Sequence, residues 1–202
     1  MHIYHQPLEQ LYFTAIDFET TGLYPDRDRI IEIGAVKFNL RGDEYRFSGL
    51  INPGIPIPEK ASSVNGIFDH MVVEMPILQN VIHDFIGFIE GTVLVAHNIG
   101  FDAAFLTGSA GRMSISLPDL PCIDTVFLAK KFFKGLYSYS LGNIAKELKL
   151  KIENAHRAED DADACRKIFT ACLKKIPDYN NINLKDFYKL SGHSPKSLRK
   201  NY

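Results

Sequence analysis

An apolar run near the start of this 202-residue chain ends in two acidic residues, and this pair constrains the fold more than any other feature. Residues 12–18 are rich in aromatic and β-branched side chains and contain neither Gly nor Pro, so they predict a buried strand. Because side chains alternate along a strand, Asp17 and Glu19 point to the same face. Two carboxylates in a desolvated place repel each other, and their oxygens suit magnesium or manganese. The pair therefore predicts a divalent cation at the end of this strand.

The distribution of apolar residues along the rest of the chain predicts an α/β fold. Residues 40–43, Leu-Arg-Gly-Asp, form a turn signal between two strand patterns and indicate an antiparallel hairpin. After Gly91, short strands alternate with helical patterns, and this order is typical of a mixed sheet flanked by helices. The predicted strands cover residues 11–18, 30–38, 44–51 and 92–97, with another ending at 122–124, and the predicted helices cover residues 59–64, 73–89, 101–109, 125–132, 140–148 and 158–174.

The length of the chain fits one domain with a short appendage. We expect the domain to cover residues 1–176, followed by a polar and basic C-terminal extension over residues 177–202. The net charge of −1 gives no overall preference for an anionic partner. Basic stretches at residues 127–151 and 181–202 leave two alternatives open, a contact with nucleic acid and a solvated helix face.

Cysteine usage and hydropathy indicate a cytoplasmic protein without a zinc site or a membrane segment. The cysteines Cys122, Cys165 and Cys172 have neither CxxC nor Cys/His spacing, so we expect reduced, buried thiols. The N-terminus lacks the charged and apolar regions of a signal peptide, and no segment approaches about 18 continuous apolar residues. We therefore expect a soluble protein that is located in the cytoplasm.

Two further acids and a histidine extend the predicted cation site, although each has a simpler explanation when taken alone. Asp102 lies where a helix should begin, and an acid there also favours the helix dipole. Asp161 belongs to an acidic run at the start of the last long helix, and this run is equally consistent with a solvated face. The spacing His-x-Ala-x-x-Asp that begins at His156 places an imidazole and a carboxylate at one end of that helix.

Three motifs carry a more specific signal: DFETTG at residues 17–22, HNIGFD at residues 97–102 and HRAEDD at residues 156–161. In this order and spacing they resemble the motifs of the DEDDh, or DnaQ-like, 3′–5′ exonucleases, and the resemblance extends from about residue 11 to residue 173. That family includes the proofreading epsilon subunit of bacterial DNA polymerase III and ribonuclease T. The resemblance implies a ribonuclease H-like fold with a mixed five-stranded sheet flanked by helices.

Matched by position, the resemblance implies a metal site and a general base. The acids Asp17, Glu19, Asp102 and Asp161 would hold two divalent cations, Mg²⁺ or Mn²⁺. Asp17 would bridge both cations, whereas Glu19 and Asp161 would complete one of the two sites. His156 would be the general base that activates the attacking water.

The resemblance also implies contacts with the substrate. Thr20, Thr21 and Gly22 would line the pocket for the terminal nucleotide, and the glycine would allow close approach of the backbone. Asn98 would either support the loop that carries the next acid or touch the substrate. Asn65 departs from the family pattern, because many relatives have histidine there, so no substrate contact is assigned to it.

The activity implied is that of a metal-dependent exonuclease, which releases nucleoside 5′-monophosphates from the 3′ ends of single-stranded or frayed nucleic acid. We favour DNA, in proofreading or repair, because the family has polymerase-associated members, and a DNA polymerase subunit is the expected partner. Trimming of RNA 3′ ends, as by ribonuclease T or oligoribonuclease, is the alternative, because acceptance of a 2′ hydroxyl depends on pocket shape.

Two hypotheses without catalysis compete with this one. A nucleic-acid-binding module that has lost its chemistry would lack at least one of the four acids, and all four are present. A polymerase adaptor would use residues 184–190, whose apolar spacing fits a small docking helix. The same spacing fits a helix that packs back on the domain or forms a homodimer contact, and we favour that interpretation.

Overall fold

The computed structural model describes residues 3–151 and 156–198 of the chain. Over this part, the chain forms a six-stranded mixed sheet with helices on both faces. The strands are β1 (Tyr12–Thr20), β2 (Ile30–Asn39), β3 (Glu44–Leu50), β4 (Val93–Ala96), β5 (Pro121–Asp124) and β6 (Lys196–Ser197). The helices are α1 (Glu59–Asn65), α2 (Asp69–Val72), α3 (Leu78–Ile89), α4 (Ile99–Arg112), α5 (Thr125–Phe132), α6 (Leu141–Glu147), α7 (Ala158–Leu173) and α8 (Leu184–Ser191).

The order of the strands places β1 in the interior of the sheet. That order is β3-β2-β1-β4-β5-β6, and β1 pairs antiparallel with β2 and parallel with β4. The mixed α/β sheet predicted from the sequence is confirmed, but the prediction of five strands is wrong by one. The additional strand is β6, which pairs antiparallel with β5. Two residues are too few to produce a periodic pattern, so β6 left no signal in the sequence.

The helix predicted over residues 73–89 is shorter in the structure. α2 ends at Val72 and α3 begins at Leu78, with Pro76 in the segment between them. Proline lacks a backbone N–H and disfavours the helical region for the residue before it, so the chain leaves the helical conformation here. None of the helices within the described residues is long and apolar enough to cross a membrane.

Alternation along β1 distributes its side chains between two apolar clusters. Phe13 packs in the cluster beneath α5, α7 and α8, whereas Ile16 and Phe18 pack beneath α3 and α4. Burial of each of these side chains stabilises the fold by about 1.5–3 kcal/mol. Asp17 and Glu19 continue the row of Phe13, so both acids lie on the face of the sheet that α7 covers.

The described part of the predicted C-terminal extension, residues 177–198, packs against the same core, and residues 199–202 lie outside the described residues. Phe187 of α8 is buried and contacts the ring of Phe169 in α7, with ring centroids 6.1 Å apart. The hydroxyl of Tyr188 donates to the carbonyl oxygen of Cys122 in β5 at 3.1 Å. The apolar side of α8 therefore packs back on the domain.

Candidate active site

One cleft at the carboxyl end of β1 collects polar residues from distant parts of the chain, and its volume is about 270 Å³. Strand β1 ends at this cleft, and α4 and α7 both begin there. Phe101 and Leu141 contribute apolar walls. The predicted site residues that line the cleft are Asp17, Glu19, Asn98, Asp102, His156 and Asp161.

The parallel pairing of β1 with β4 explains how Asp102 reaches the acidic pair. The carboxyl ends of parallel strands lie at the same edge of a sheet, and α4 begins shortly after β4. Asp102 lies in the first turn of α4 and is only 3% exposed. Its Oδ1 accepts a hydrogen bond from the backbone N–H of Phe18 at 3.1 Å. Because Phe18 separates Asp17 from Glu19, this bond holds the third acid beside the pair.

The start of α7 brings the last acid and the histidine to the same cleft. The backbone N–H of His156 donates to Oδ2 of Asp161 at 3.1 Å, which ties the residue before the helix to its first turn. Side-chain ligand atoms of Glu19, His156 and Asp161 lie within 4.8 Å of one another. At this spacing the two carboxylates can contact one metal ion while the imidazole lies beside it.

The close approach of α7 to the sheet depends on a glycine in β2. Gly34 is the cross-strand partner of Asp17. A Cβ atom at this position would lie 2.0 Å from the carbonyl carbon of Ala158 and 2.3 Å from the backbone nitrogen of Glu159. Backbone atoms cannot yield as the tip of a flexible side chain can. The start of α7 therefore reaches the cleft only because position 34 has no side chain.

The carboxyl groups of the cleft have raised pKa values because burial disfavours their charged forms. Burial raises the pKa of Glu19 to about 7, and repulsion from Asp161 and Glu32 adds to the effect. Burial also raises the pKa of Asp102 to about 8. The pKa of Asp17 is raised well above its usual value by burial and then by Asp102 and Asp161. A divalent cation would relieve this repulsion, so the donor set fits a hard metal ion.

We expect the metal-free protein to lose thermal stability as the pH rises from about 5 to about 8. The pKa values of Glu19 and Asp102 in the folded state, about 7 and about 8, lie above the unfolded values of about 4. Their contribution to stability is therefore fully present below about pH 4 and is lost as the pH rises through about 7 and 8.

Excess Mn²⁺ should raise the melting temperature more at pH 8 than at pH 5.5, because the cation competes with protons for the same carboxyl groups. Scanning fluorimetry in EDTA and in Mn²⁺ measures both effects. Equal Mn²⁺-induced shifts at the two pH values would contradict the raised pKa values.

His97 also lines the cleft, but its hydrogen bonds give it a structural role. Its Nε2 lies 2.9 Å from the carbonyl oxygen of Tyr139 and therefore carries a proton. Its Nδ1 accepts from the hydroxyl of Thr125 at 2.9 Å, and burial lowers the pKa of His97, which keeps the ring neutral. Both ring nitrogens are thus engaged. His156, whose side chain is exposed, is the imidazole in the cleft that a substrate can reach.

The loop after the acidic pair is held by its own contacts. Thr20 Oγ1 donates to the carbonyl oxygen of Gly22 at 2.6 Å, and Thr21 Oγ1 accepts from the N–H of Arg29 at 3.0 Å. Gly22 leaves room for the carboxylate of Asp28, which an added Cβ would approach to 2.3 Å. Thr20, Thr21 and Gly22 do not line the cleft here, and their contact with a terminal nucleotide stays a prediction.

Asn65 and Glu32 lie beside Glu19, and the sequence assigned no role to either residue. The side chain of Asn65 makes a hydrogen bond to Glu19. This bond lowers the pKa of Glu19 and so partly offsets the effect of burial. The Oδ1 atom of Asn65 also accepts from the N–H of Ile67 at 3.0 Å, so this asparagine is fixed in place. Glu32 lies opposite Glu19 in the strand register and is ion-paired with Arg157. A lone acid in the apolar run of β2 is the sequence signal that would have indicated Glu32.

Comparison with known proteins relates this chain to nucleases of DNA replication. A family model described as Exonuclease matches residues 14–169. DNA polymerase III subunit epsilon of Treponema pallidum (strain Nichols) is 44% identical over 167 residues, which cover 82% of this chain and 78% of that protein. DNA polymerase III PolC-type of Caldanaerobacter subterraneus subsp. tengcongensis is 36% identical over 166 residues, which are 82% of this chain but only 12% of that protein.

A solved structure shows the same architecture. The structure described as Exonuclease X in complex with 5′ overhanging duplex DNA has a TM-score of 0.65 and 25% sequence identity, and the match covers 82% of this chain and 92% of that one. A mixed sheet with carboxylates gathered at the end of its central strand defines a nuclease of the ribonuclease H-like class. The chain belongs to the exonuclease family, within its DEDDh, DnaQ-like group.

Proposed function

We propose that this chain is a metal-dependent 3′–5′ exonuclease that removes nucleoside 5′-monophosphates from the 3′ ends of DNA. The observation that carries the proposal is the convergence of four carboxyl groups and the exposed imidazole of His156 in a single cleft. The match to the exonuclease family over most of the chain supports the same activity.

Four acids of the cleft would hold the metal, and the histidine would accept a proton from the attacking water. Asp17, Glu19, Asp102 and Asp161 offer oxygen ligands suited to two Mg²⁺ or Mn²⁺ ions, with Asp17 as the shared ligand. Such ions, when bound, lower the pKa of water and offset charge on the attacked phosphate and the leaving 3′ oxygen. An imidazole nitrogen of His156 accepts a proton from the attacking water. The water oxygen bonds to phosphorus and the bond to the 3′ oxygen breaks, so the released nucleotide keeps its 5′ phosphate.

DNA is the substrate that we propose, with single-stranded or frayed 3′ ends as the form that enters the cleft. The likeness to a DNA polymerase III epsilon subunit supports DNA, a DNA polymerase subunit as partner, and action in the cytoplasm, where bacterial replication takes place. Asn98 lines the cleft and is a proposed substrate contact. Thr20, Thr21 and Gly22 are further proposed contacts, made through the loop that follows the acidic pair.

A digestion panel tests the activity and the choice of nucleic acid. Single-stranded DNA, duplex DNA with a frayed or a paired 3′ end, and RNA of the same sequence, each labelled at the 5′ end, are incubated with Mg²⁺, Mn²⁺ or EDTA. A ladder that shortens from the 3′ end, with nucleoside 5′-monophosphates as products and no reaction in EDTA, is the expected result. Faster cleavage of RNA would reject DNA as the substrate, and internal cleavage would reject the exonuclease mechanism.

The substitution His156→Ala is expected to lower kcat by about 10²–10⁴-fold, the usual effect of removing a general base. Mn²⁺ affinity, measured by titration calorimetry, should change little, because the four acids remain. His83→Ala removes another exposed histidine, on α3, and is the matched control that should keep full activity. A His156→Ala protein with wild-type kcat would show that another group accepts the proton.

A further inference from the structure

Glu32 is a buried carboxylate in β2 that the proposed chemistry does not use. Its side chain is almost inaccessible, and it lies opposite Glu19 in the strand register. Its Oε1 accepts from Nε of Arg157 at 3.0 Å and from Nη2 of Arg157 at 2.6 Å, and its Oε2 accepts from the N–H of Ala158 at 3.1 Å. A buried carboxylate is costly unless it is paired and hydrogen-bonded, and these three donors satisfy both of its oxygens.

The hydrogen-bond partners of Glu32 distinguish it from the acids of the cleft. Glu19 and the other acids converge on a shared space, whereas Glu32 faces a guanidinium and a helix N-terminus. All three donors belong to the two residues that directly follow His156 in the chain. Glu32 therefore makes its hydrogen bonds to the backbone and side chain next to the proposed base, and it acts on the metal ligands only through charge repulsion.

The backbone at His156 has a conformation that needs such support. Its φ angle is 66°, in the left-handed region that residues with a side chain rarely adopt. Conformations of this kind persist where the surroundings over-determine them. The N–H of His156 is held by Asp161 on one side, and Arg157 and Ala158 are held by Glu32 on the other.

Glu32 also takes the place of a capping side chain for α7. The residue that precedes the helix, Arg157, makes no side-chain hydrogen bond to the first turn. The first N–H groups of a helix lack partners within it, and Glu32 accepts the one from Ala158. Its negative charge lies at the N-terminus of the helix, where the helix dipole favours an anion. One carboxylate thus fixes both the start of α7 and the residue before it.

We propose that Glu32 and Arg157 are positioning residues that hold the imidazole of His156 in the cleft. The inference rests on the proposed function, because His156 acts as a base only if the chain is a hydrolytic nuclease. The fork geometry of Arg157 matters, since a guanidinium binds a carboxylate through two N–H groups and a lysine ammonium does not.

A double-variant cycle tests whether Glu32 acts through His156. With the full chain, Mn²⁺ and single-stranded DNA, Glu32→Gln should lower kcat by about 10–100-fold with little change in KM. In the His156→Ala background, the same substitution should change kcat by less than about twofold, because coupled residues are not additive. Arg157→Lys retains the charge and loses the fork, so it should lower kcat by a smaller factor than Arg157→Ala.

Amide hydrogen exchange gives a measurement that does not depend on activity. In Glu32→Gln and in Arg157→Ala, the amides of His156 and Ala158 should exchange at least about tenfold faster than in the wild type, because a charge-assisted anchor is lost. Arg46→Ala is the matched control, since Arg46 pairs with Glu159 in the same first turn of α7 at 3.2 Å. This exposed pair contributes little, so exchange at His156 and kcat should both stay at wild-type values.

The outcomes separate this inference from the proposed function. A further tenfold loss of kcat on adding Glu32→Gln to His156→Ala would overturn the inference, because Glu32 would then act on the acids or on folding. Wild-type kcat in both Glu32→Gln and Arg157→Ala would overturn it as well. A wild-type protein without any nuclease activity would reject the proposed function instead. In that case amide hydrogen exchange still tests the inference. A wild-type exchange rate at His156 in Glu32→Gln would show that Glu32 does not hold the backbone of His156.

Discussion

The substitution Asp17→Asn is expected to abolish hydrolysis while raising the melting temperature of the metal-free protein. Asp17 shares the cleft with the other acids, and its pKa is raised by burial and by repulsion from Asp102 and Asp161. An amide keeps the shape of the side chain but removes a metal ligand and a source of repulsion. The loss of rate should exceed the roughly 100-fold effect of losing an outer-shell partner.

The gain in stability has a defined pH dependence. At pH 5.5 Glu19 and Asp102, whose pKa values are about 7 and about 8, are largely protonated, so removal of Asp17 relieves little repulsion from them. At pH 8.5 they are ionised, and the gain should be larger. For a chain of this size, a gain of about 1 kcal/mol moves the melting temperature by about 2–4 °C. Fluorimetry in EDTA at the two pH values, together with a DNA hydrolysis assay, measures both effects.

Asp163→Asn is a control that should change the melting temperature in the opposite direction. Asp163 lies two residues after Asp161 in α7 but forms ion pairs with Arg166 and Lys167, each at 2.7 Å. Its removal should lower the melting temperature slightly and leave hydrolysis intact, because it is not among the residues that line the cleft. A rise in melting temperature for both variants would show that repulsion in the cleft is not the cause.

The acidic pair illustrates what the sequence alone could predict about the site. Period-two alternation is a local property, so Asp17 and Glu19 could be placed on one face of a strand without any knowledge of the fold. Asp102 had a local explanation as an acid that favours a helix dipole, and Asp161 had one as part of a solvated acidic face. Only the resemblance to a known family indicated that these acids act together, and this resemblance rests on the order and spacing of three motifs. The structure brings all four to one cleft.

The contacts of the supporting residues could not be predicted because they join positions that are distant in the chain. Glu32 and Arg157 are 125 residues apart, and no periodicity links two such positions. Gly22 was interpreted as a point of backbone approach to substrate, and its close packing against the carboxylate of Asp28 is a separate contact that the sequence did not indicate. Strand β6 was missed since its two residues are too few to form a periodic pattern. Tertiary packing decided each of these features.

A second large effect is expected from Gly34→Ala, which should lower stability and activity together. The added methyl group would overlap the backbone of Ala158 and Glu159, and overpacking of this kind costs about 1–3 kcal/mol. The strain is relieved by moving the start of α7 away from the sheet, which also moves His156 and Asp161. A displacement of about 1 Å at a reacting group can cost about 10²-fold in rate. Urea denaturation and single-turnover hydrolysis measure the two losses.

Gly49→Ala separates this effect from the general consequences of replacing a strand glycine. Gly49 lies in β3 of the same sheet, and an added Cβ there meets no atom within 4 Å. Since alanine restricts the unfolded chain, this control should be neutral or stabilising by about 0.4–1 kcal/mol, with full activity. If Gly34→Ala behaved in the same way, α7 would be free to move without affecting the chemistry. A folded Gly34→Ala protein with weak activity would instead show that the distance between α7 and β2 controls the chemistry. This distance sets how closely Asp161 and His156 approach the pair of Asp17 and Glu19.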